Sequence, residues 1–425
     1  MKKREEIKDI IFRNREYFFE TEEYINREVE FKEKINSSLI TVISGIRRSG
    51  KSVLLKIIKD YLLEEKKINK NSIYYLDFND YGLTDYSVND LGKLFEIYFE
   101  EFFSKNKYIF LDEVQEIKNW HKLVLNFHKK GYKVIITGSN GNLLSKEIGT
   151  YLTGRINTLS LFPFSFREYL KIKNKKIDYK KKSQEKLIPL KNSFKDYLQQ
   201  GGFPLVLKEN NKKILKDYYE NIINRDVIVR NNIKNTKNIK ELSYYLVTNF
   251  TNISSYNSLK NSINIKSLSS LKNYLDFLRD SYLILDLKKH DFSIKKQVSN
   301  PRKYYIIDTG FISQIAYNFS KNLGRFLENC VFLELKRNAN EIFYYSGKKE
   351  CDFIVQDYSK VINSIQVTWE LNENNKNREL EGLYEAMEKF NLKEGLILTF
   401  DQTDKINYKD KMVLVKPVWR WLLEK

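Results

Sequence analysis

Residues 45–52 read Gly-Ile-Arg-Arg-Ser-Gly-Lys-Ser, the G-x-x-x-x-G-K-[ST] spacing that captures a polyphosphate. Gly45 and Gly50 let the backbone wrap closely. The N–H groups of Ile46, Arg47, Arg48 and Ser49, and of the helix start at Lys51, Ser52 and Val53, then point at phosphate oxygens. Lys51 reaches the β- and γ-phosphates, and the Ser52 hydroxyl takes a place on Mg²⁺. A second run, Lys107-Tyr108-Ile109-Phe110-Leu111-Asp112-Glu113, ends an apolar strand in two acids. Asp112 suits Mg²⁺, a hard cation that keeps part of its water shell. Glu113 is placed to polarise an attacking water as general base. A third run, Lys133–Gly138, ends in Ser139-Asn140. Either residue of that polar tip can orient the water and sense the γ-phosphate, or cap a helix beginning at Asn142.

These groups need strands that end together. Strands are expected near 39–44, 72–77, 107–112, 133–138 and 157–161, and helices near 51–65, 89–105 and 119–130. Short strands alternating with helices predict a parallel sheet covered on both faces, with the ligand at the strands' carboxyl ends. Gly45, Asp112 and Ser139 all fall there. Residues 1–36 are charged and helical in pattern, and are expected to lie against this domain.

The chain has 425 residues, enough for two to four domains, with 27 Phe and 29 Tyr and few prolines. Its net charge of +19 favours phosphate-rich partners, although Lys, Asn and Ile are abundant throughout, as an AT-rich genome enforces. Cys330 and Cys351 have no metal-ligand spacing and fit a reducing compartment. His121 and His128 lack a third ligand. No apolar run reaches a membrane span and no signal-peptide core follows Met1, so the expectation is a cytoplasmic protein without membrane contact.

Leu161-Phe162-Pro163-Phe164-Ser165-Phe166 marks a boundary, after which 166–235 is mostly helical. The basic stretch Lys171–Lys182 reads as a solvated loop. Residues 237–310 place three helical runs before two strand-like runs joined by the basic segment Lys288–Lys296, the pattern of a winged helix-turn-helix. Ser267, Ser270 and Lys272 would start its recognition helix and meet bases or phosphates, unless the fold serves packing or protein contacts. The remainder, 311–425, opens with a helix carrying Leu327-Glu328-Asn329. Three strand-like runs follow (341–345, 351–356, 364–369), then a helix at 376–390 and a strand at 395–400.

The whole chain resembles the AAA-type archaeal ATPase family. The resemblance rests on the 45–52 loop with its Arg-Arg, Leu111-Asp112-Glu113-Val114-Gln115, Thr137-Gly138-Ser139, Leu152-Thr153-Gly154-Arg155, Phe162–Glu168, Gly201-Gly202-Phe203-Pro204 and Asn224-Arg225-Asp226. It implies an α/β P-loop NTPase with an AAA/ASCE-type parallel sheet, then a helical lid, a winged helix-turn-helix and a small α/β endonuclease-like domain. It also implies ATP as the nucleotide. The domains are then 1–36 (helical arm), 37–165 (ATPase), 166–236 (lid), 237–310 (winged helix) and 311–425 (endonuclease-like).

A nuclease of the PD-(D/E)xK type needs an acid on one strand and acid-x-Lys on the next to bind Mg²⁺ and position water. Asp352 matches the first acid and Glu328 an accessory one, but the next strand offers Gln366-Val367-Thr368. The domain therefore reads as a retained fold with lost catalysis. Arg155 and Arg225 are candidates to stabilise the γ-phosphate, in cis or from a neighbouring subunit, and each can equally be a structural ion pair. Arg155 is the favoured one.

The reading is a Mg²⁺-dependent ATPase whose cycle moves the winged-helix and nuclease-like domains, on DNA. Its rivals are a slow nucleotide-gated switch that contacts a protein partner or a second copy, and an ATP-regulated nuclease, which Gln366 and Thr368 disfavour.

Overall fold

The computed structural model describes residues 3–139, 141, 151–175, 184–316, 322–338 and 341–424, with residues 184–186 as backbone only. The chain forms two compact units, Met1–Phe162 and Pro163–Lys425.

In the first unit, β1 (Ile40–Ser44), β2 (Ile73–Asp77), β3 (Tyr108–Asp112), β4 (Lys133–Gly138) and β5 (Ile156–Ser160) make one sheet in the order β2-β3-β4-β1-β5. Every neighbouring pair is parallel. Strands buried on both faces read as continuous apolar runs, as Ile-Tyr-Tyr-Leu does in β2. Their side chains alternate between two cores. Val42, Tyr74, Ile109 and Ile136 meet Leu91, Leu94 and Phe95 of the helix Val88–Glu101 and Val124 and Phe127 of Trp120–Lys129. Ile43, Tyr75, Phe110 and Ile135 meet Leu54, Ile58 and Leu62 of the helix Lys51–Glu64.

The N-terminal arm joins this unit. Its helix Arg4–Phe19 places Ile7, Ile10 and Ile11 in the first core and stacks Phe18 on Tyr75 in the second, ring centroids 4.1 Å apart. The expected helicity does not run through 1–36. Residues 20–31 have no regular structure, and a short helix follows at Lys32–Asn36. Tertiary bonds replace helical ones here: the Tyr24 hydroxyl donates to Asp60, and Arg27 reaches two distant carbonyls.

The second unit begins with the helices Phe166–Ile172, Gln184–Gln200, Pro204–Glu209 and Ile214–Asn221, the last continuing as π-helix Ile222–Val229. Helices Thr236–Thr248, Tyr256–Ser262 and Leu268–Asp280 then pack with a small antiparallel sheet. Its strands are β6 (Ile253–Ser254), β7 (Ile284–Lys288) and β8 (Arg302–Ile306), in the order β6-β8-β7. Part of the basic segment that joins β7 to β8 is a helix, Ile294–Ser299, capped by Ser293.

The last part is a six-stranded sheet in the order β13-β14-β12-β11-β10-β9. Strands β9 (Glu341–Ser346), β10 (Glu350–Asp357) and β11 (Lys360–Val367) form an antiparallel meander. Strand β12 (Glu394–Thr399) pairs parallel with β11 after the helix Lys376–Lys389. Strands β13 (Asp404–Tyr408) and β14 (Lys411–Pro417) and the helix Val418–Leu423 extend beyond the elements expected from sequence. Their apolar residues are interleaved with lysines, and only Val413, Val415 and Pro417 of β14 are buried.

Candidate functional site

The sheet order decides the site. Because β4 lies between β1 and β3, three carboxyl ends converge: the loop after β1, the acids after β3 and Ser139 after β4. Gly50, at φ +96°, caps the helix that opens with Lys51, a left-handed conformation that glycine takes at no steric cost. Gly45 also meets a packing need. A Cβ there would stand 2.2 Å from the Leu161 carbonyl oxygen, so glycine lets the loop pass the end of β5.

The Lys51 side chain is buried, with Nζ 3.2 Å from Glu113 Oε1 and donating to the carbonyls of Gly45 and Ile46 at 3.3 Å. Asp112 is buried beside it. The Ser52 and Thr137 hydroxyls bond to its carboxylate, and the Tyr75 hydroxyl donates to Oδ2 at 3.2 Å. Burial, with the neighbouring charges of Glu113 and Asp77, pushes the Asp112 carboxyl above its ordinary range. Burial acts on Glu113 in the same sense, but Lys51, Gln115 and Arg47 outweigh it and hold that carboxyl below its ordinary range. Two adjacent acids thus differ, one pushed towards its neutral form and one held charged.

Glu113 adopts a left-handed backbone (φ 51°, ψ 51°), uncommon for a residue with a Cβ. The turn is held by its own N–H, which donates to Thr137 Oγ1 at 2.9 Å. Gln115 Nε2 donates to Glu113 Oε2 at 2.5 Å and to Ser139 Oγ at 3.3 Å, joining the tips of β3 and β4. Arg27 donates to the Ser49 carbonyl at 2.8 Å and to the Phe162 carbonyl at 2.7 Å, fastening the phosphate loop to the end of the unit. Thr137, Gln115 and Arg27 are the residues sequence reasoning assigned no role. Thr137 and Gln115 lie within the Thr137-Gly138-Ser139 and Leu111–Gln115 motifs, whereas nothing local marks Arg27.

The residues present suit a magnesium nucleotide. A buried ammonium stands at the head of a helix, and a hydroxyl and a carboxylate, Ser52 and Asp112, face each other. The buried Ser49 Oγ and Gln115 Oε1 have no hydrogen-bond partner among the described residues.

Arg155 is elsewhere. It is exposed, immediately before β5, and its carbonyl accepts from Ile40 N–H at the start of β1. Both strands run away from it, so the phosphate loop begins a strand length, about 15 Å, from it. That placement removes a role for Arg155 in the site of its own chain. Arg225 belongs to the second unit, exposed on the π-helix, and the buried Asp226 beside it pairs with Arg230 at 3.5 Å. Asn140, Asn142 and most of the Lys171–Lys182 stretch lie outside the described residues.

Residues 37–170 match the AAA domain family, and residues 191–322 match a domain of unknown function. An uncharacterized protein of Methanocaldococcus jannaschii is 37% identical over 422 residues, covering 94% of this chain and 91% of the relative. The chain belongs to this family of AAA-domain proteins. A second relative, an uncharacterized protein of Haemophilus influenzae, is 31% identical over 368 residues, 83% of this chain and 87% of its own length. Among solved structures, a DNA polymerase III gamma subunit-related protein of Thermotoga maritima shares 15% identity at a TM-score of 0.28, with 59% of this chain and 96% of that one covered. AMPPCP-bound DnaA of Aquifex aeolicus shares 15% identity at a TM-score of 0.24, covering 58% of this chain and 85% of that one. In this AAA-domain protein the matched segment contains every residue of the converging site except Arg27. No helix among the described residues is long and apolar enough to cross a membrane.

Proposed function

We propose that this AAA-domain protein is a Mg²⁺-dependent ATPase that couples ATP turnover to a change in posture of its second unit, on DNA. The observation that carries the ATPase reading is the convergence of Lys51, Ser52, Asp112, Glu113 and Ser139 at the strand ends of a β2-β3-β4-β1-β5 parallel sheet. Loop N–H groups from Ile46 to Val53 cradle the phosphates, and Lys51 neutralises charge on the transferring group. Ser52 and Asp112 would hold Mg²⁺, which supplies charge neutralisation on the β- and γ-oxygens. Glu113 takes the proton of the attacking water, and Gln115 and Ser139 keep its carboxylate aimed. Arg155, exposed on the far edge of the sheet, is assigned a role only towards a neighbouring subunit.

For the second unit, the three helices and the antiparallel β6-β8-β7 sheet support a winged-helix reading of 237–310, between a helical lid (166–236) and an endonuclease-like domain (311–425). The DNA reading rests on the net charge of +19 and on exposed Lys272, Lys288, Lys295 and Lys296. Ser267 and Ser270 have a local task as well: Ser267 caps the helix Leu268–Asp280, and the two hydroxyls are 2.8 Å apart. A second reading, a nucleotide-gated switch for a protein partner, is favoured by one observation. Phe292 and Ile294 are 80% and 77% exposed between those lysines, an apolar tip that suits a protein surface.

The deciding experiment is the ATPase rate with and without single- and double-stranded DNA across a salt series. Stimulation that fades steeply with salt supports action on DNA. A rate unchanged by DNA at about 50 mM salt, where phosphate contacts are favoured, leaves the switch reading.

A further inference from the structure

A second set of charges lies wholly in the second unit, where Lys303 of β8, Glu328 and Asp352 are buried and Glu350 is exposed. An ammonium has three N–H donors, and three carboxylates meet this one. Glu328 Oε1 is at 2.9 Å, Glu350 Oε1 at 2.7 Å and Asp352 Oδ1 at 2.8 Å. Glu328 comes from the helix Leu323–Arg337, and Glu350 and Asp352 from β10. Lys303 therefore crosses from the three-stranded sheet to the acids of the six-stranded one.

Other acceptor positions are occupied by the protein as well. Glu328 Oε1 also accepts from the Tyr305 hydroxyl at 2.8 Å, and Asp352 Oδ2 accepts from Val367 N–H at 2.9 Å. Gln366 stands where an endonuclease-like site needs a further acid. Its Oε1 accepts from Asp352 N–H at 3.2 Å, and its Nε2 donates to Glu379 Oε2 at 2.6 Å. Thr368, where that site needs a lysine, donates to the Glu370 carbonyl at 3.2 Å. A divalent ion would have to displace these donors and Lys303 together.

We infer that Lys303 is a built-in cation holding Glu328, Glu350 and Asp352 together in place of a divalent ion, so that the cluster latches β8 to the six-stranded sheet and is not a metal-dependent catalytic centre. Carboxylates gathered this closely repel one another unless a cation sits among them, and a hard metal ion is the usual solution. Here an ammonium does so from a neighbouring element, with its directions fixed by the strand. The same junction is closed by Asn329, whose side chain accepts from Ile306 N–H at 2.9 Å and donates to its carbonyl at 2.8 Å, and by Tyr305 stacked 3.8 Å from Phe332. Because β8 also pairs with β6 and β7, the two sheets of the second unit travel together. The inference stands independently of the nucleotide site.

Thermal unfolding of the full chain tests it. Lys303→Met keeps the aliphatic stem and removes the charge, and is expected to lower Tm by on the order of 10 °C, because the buried Glu328 and Asp352 lose the cation bonded to both. Adding Glu328→Gln and Asp352→Asn to Lys303→Met should recover at least half of that loss, since amides need no ammonium. If Lys303→Met does not fold, recovery of a folded chain by the added amides gives the same answer. Equal stability of Lys303→Met and the unaltered chain, or no recovery in the triple variant, overturns the latch. A Mn²⁺ titration of the unaltered chain without nucleotide is the second arm. No binding sensitive to Asp352→Asn is expected. An Asp352-dependent Mn²⁺ site, or Mn²⁺-dependent DNA cleavage abolished by Asp352→Asn, would make the cluster a metal centre.

Discussion

Lys51 Nζ lies 3.2 Å from Glu113 Oε1, so the ammonium assigned to the phosphates and the carboxylate assigned to water share one ion pair. Phosphate oxygens must compete with Glu113 for Lys51. Binding of ATP would therefore loosen the base at the moment a water is to be polarised. Glu113→Gln should leave ATP affinity equal or tighter, since Lys51 loses a competitor, while turnover falls by about 10²–10³-fold, at the lower end or within the range of general-base effects. Fluorescent-nucleotide binding and phosphate release, measured on one preparation, check both halves. Weakened binding with little loss of turnover would reverse the assignment.

Thr137 joins the two acids, donating to Asp112 and accepting from Glu113 N–H. Thr137→Val keeps the shape and leaves that half-buried N–H without its acceptor, at a cost of at most about 1–3 kcal/mol. The expected outcome is a drop in kcat of about tenfold or more with a smaller change in KM. Steady-state kinetics beside a melting curve separates misaligned acids from simple destabilisation.

Arg27 holds the Ser49 and Phe162 carbonyls with two different nitrogens. Arg27→Ala should free the phosphate loop and raise the Kd for ATP by about tenfold, the scale of a charge-assisted hydrogen bond. Arg27→Lys should recover only part, because a point charge cannot span both carbonyls. Equal ATP affinity in all three proteins would confine Arg27 to packing.

Asp308 is buried and receives the N–H groups of Gly202 and Gly310 at 2.7 and 2.8 Å. Burial dominates those bonds and pushes its carboxyl up to about 7 from 3.8. The folded chain thus holds a proton that the unfolded chain releases. The stability this group contributes is complete below about pH 4 and is lost as pH rises through about 7, at no more than about 1.4 kcal/mol per pH unit. Asp308→Asn cannot ionise, so its Tm relative to the unaltered chain should improve between pH 5 and pH 8. A constant difference across that window contradicts the burial argument.

How much of this was legible in the sequence depends on whether the signal is local. The phosphate loop, Asp112 and Glu113 stand in short patterns, and the five strands of the first unit fall within a residue or so of their expected positions. Strand order is not local, and it is the placement of β4 between β1 and β3 that brings Ser139 to the acids. Arg155 illustrates the converse. It follows the Ser139 strand in sequence, yet parallel strands return it to the opposite edge of the sheet. Arg27 and Lys303 act through contacts 22 and 25 or more residues away, with no motif around them. No residue of β13 is buried, and in β14 the half-exposed positions beside buried Val413 and Val415 carry apolar Met412 and Leu414, so neither strand shows a clear period-two pattern.

The central claim is that the Lys51–Asp112–Glu113 site hydrolyses ATP, and the most direct measurement is Mg²⁺-dependent phosphate release by the unaltered chain and by Lys51→Ala. Hydrolysis by the former is expected, with a loss of at least ~10²-fold in a variant that still unfolds cooperatively as a folded chain, the scale for removing one preorganised electrostatic donor. Near-normal hydrolysis by folded Lys51→Ala would contradict it.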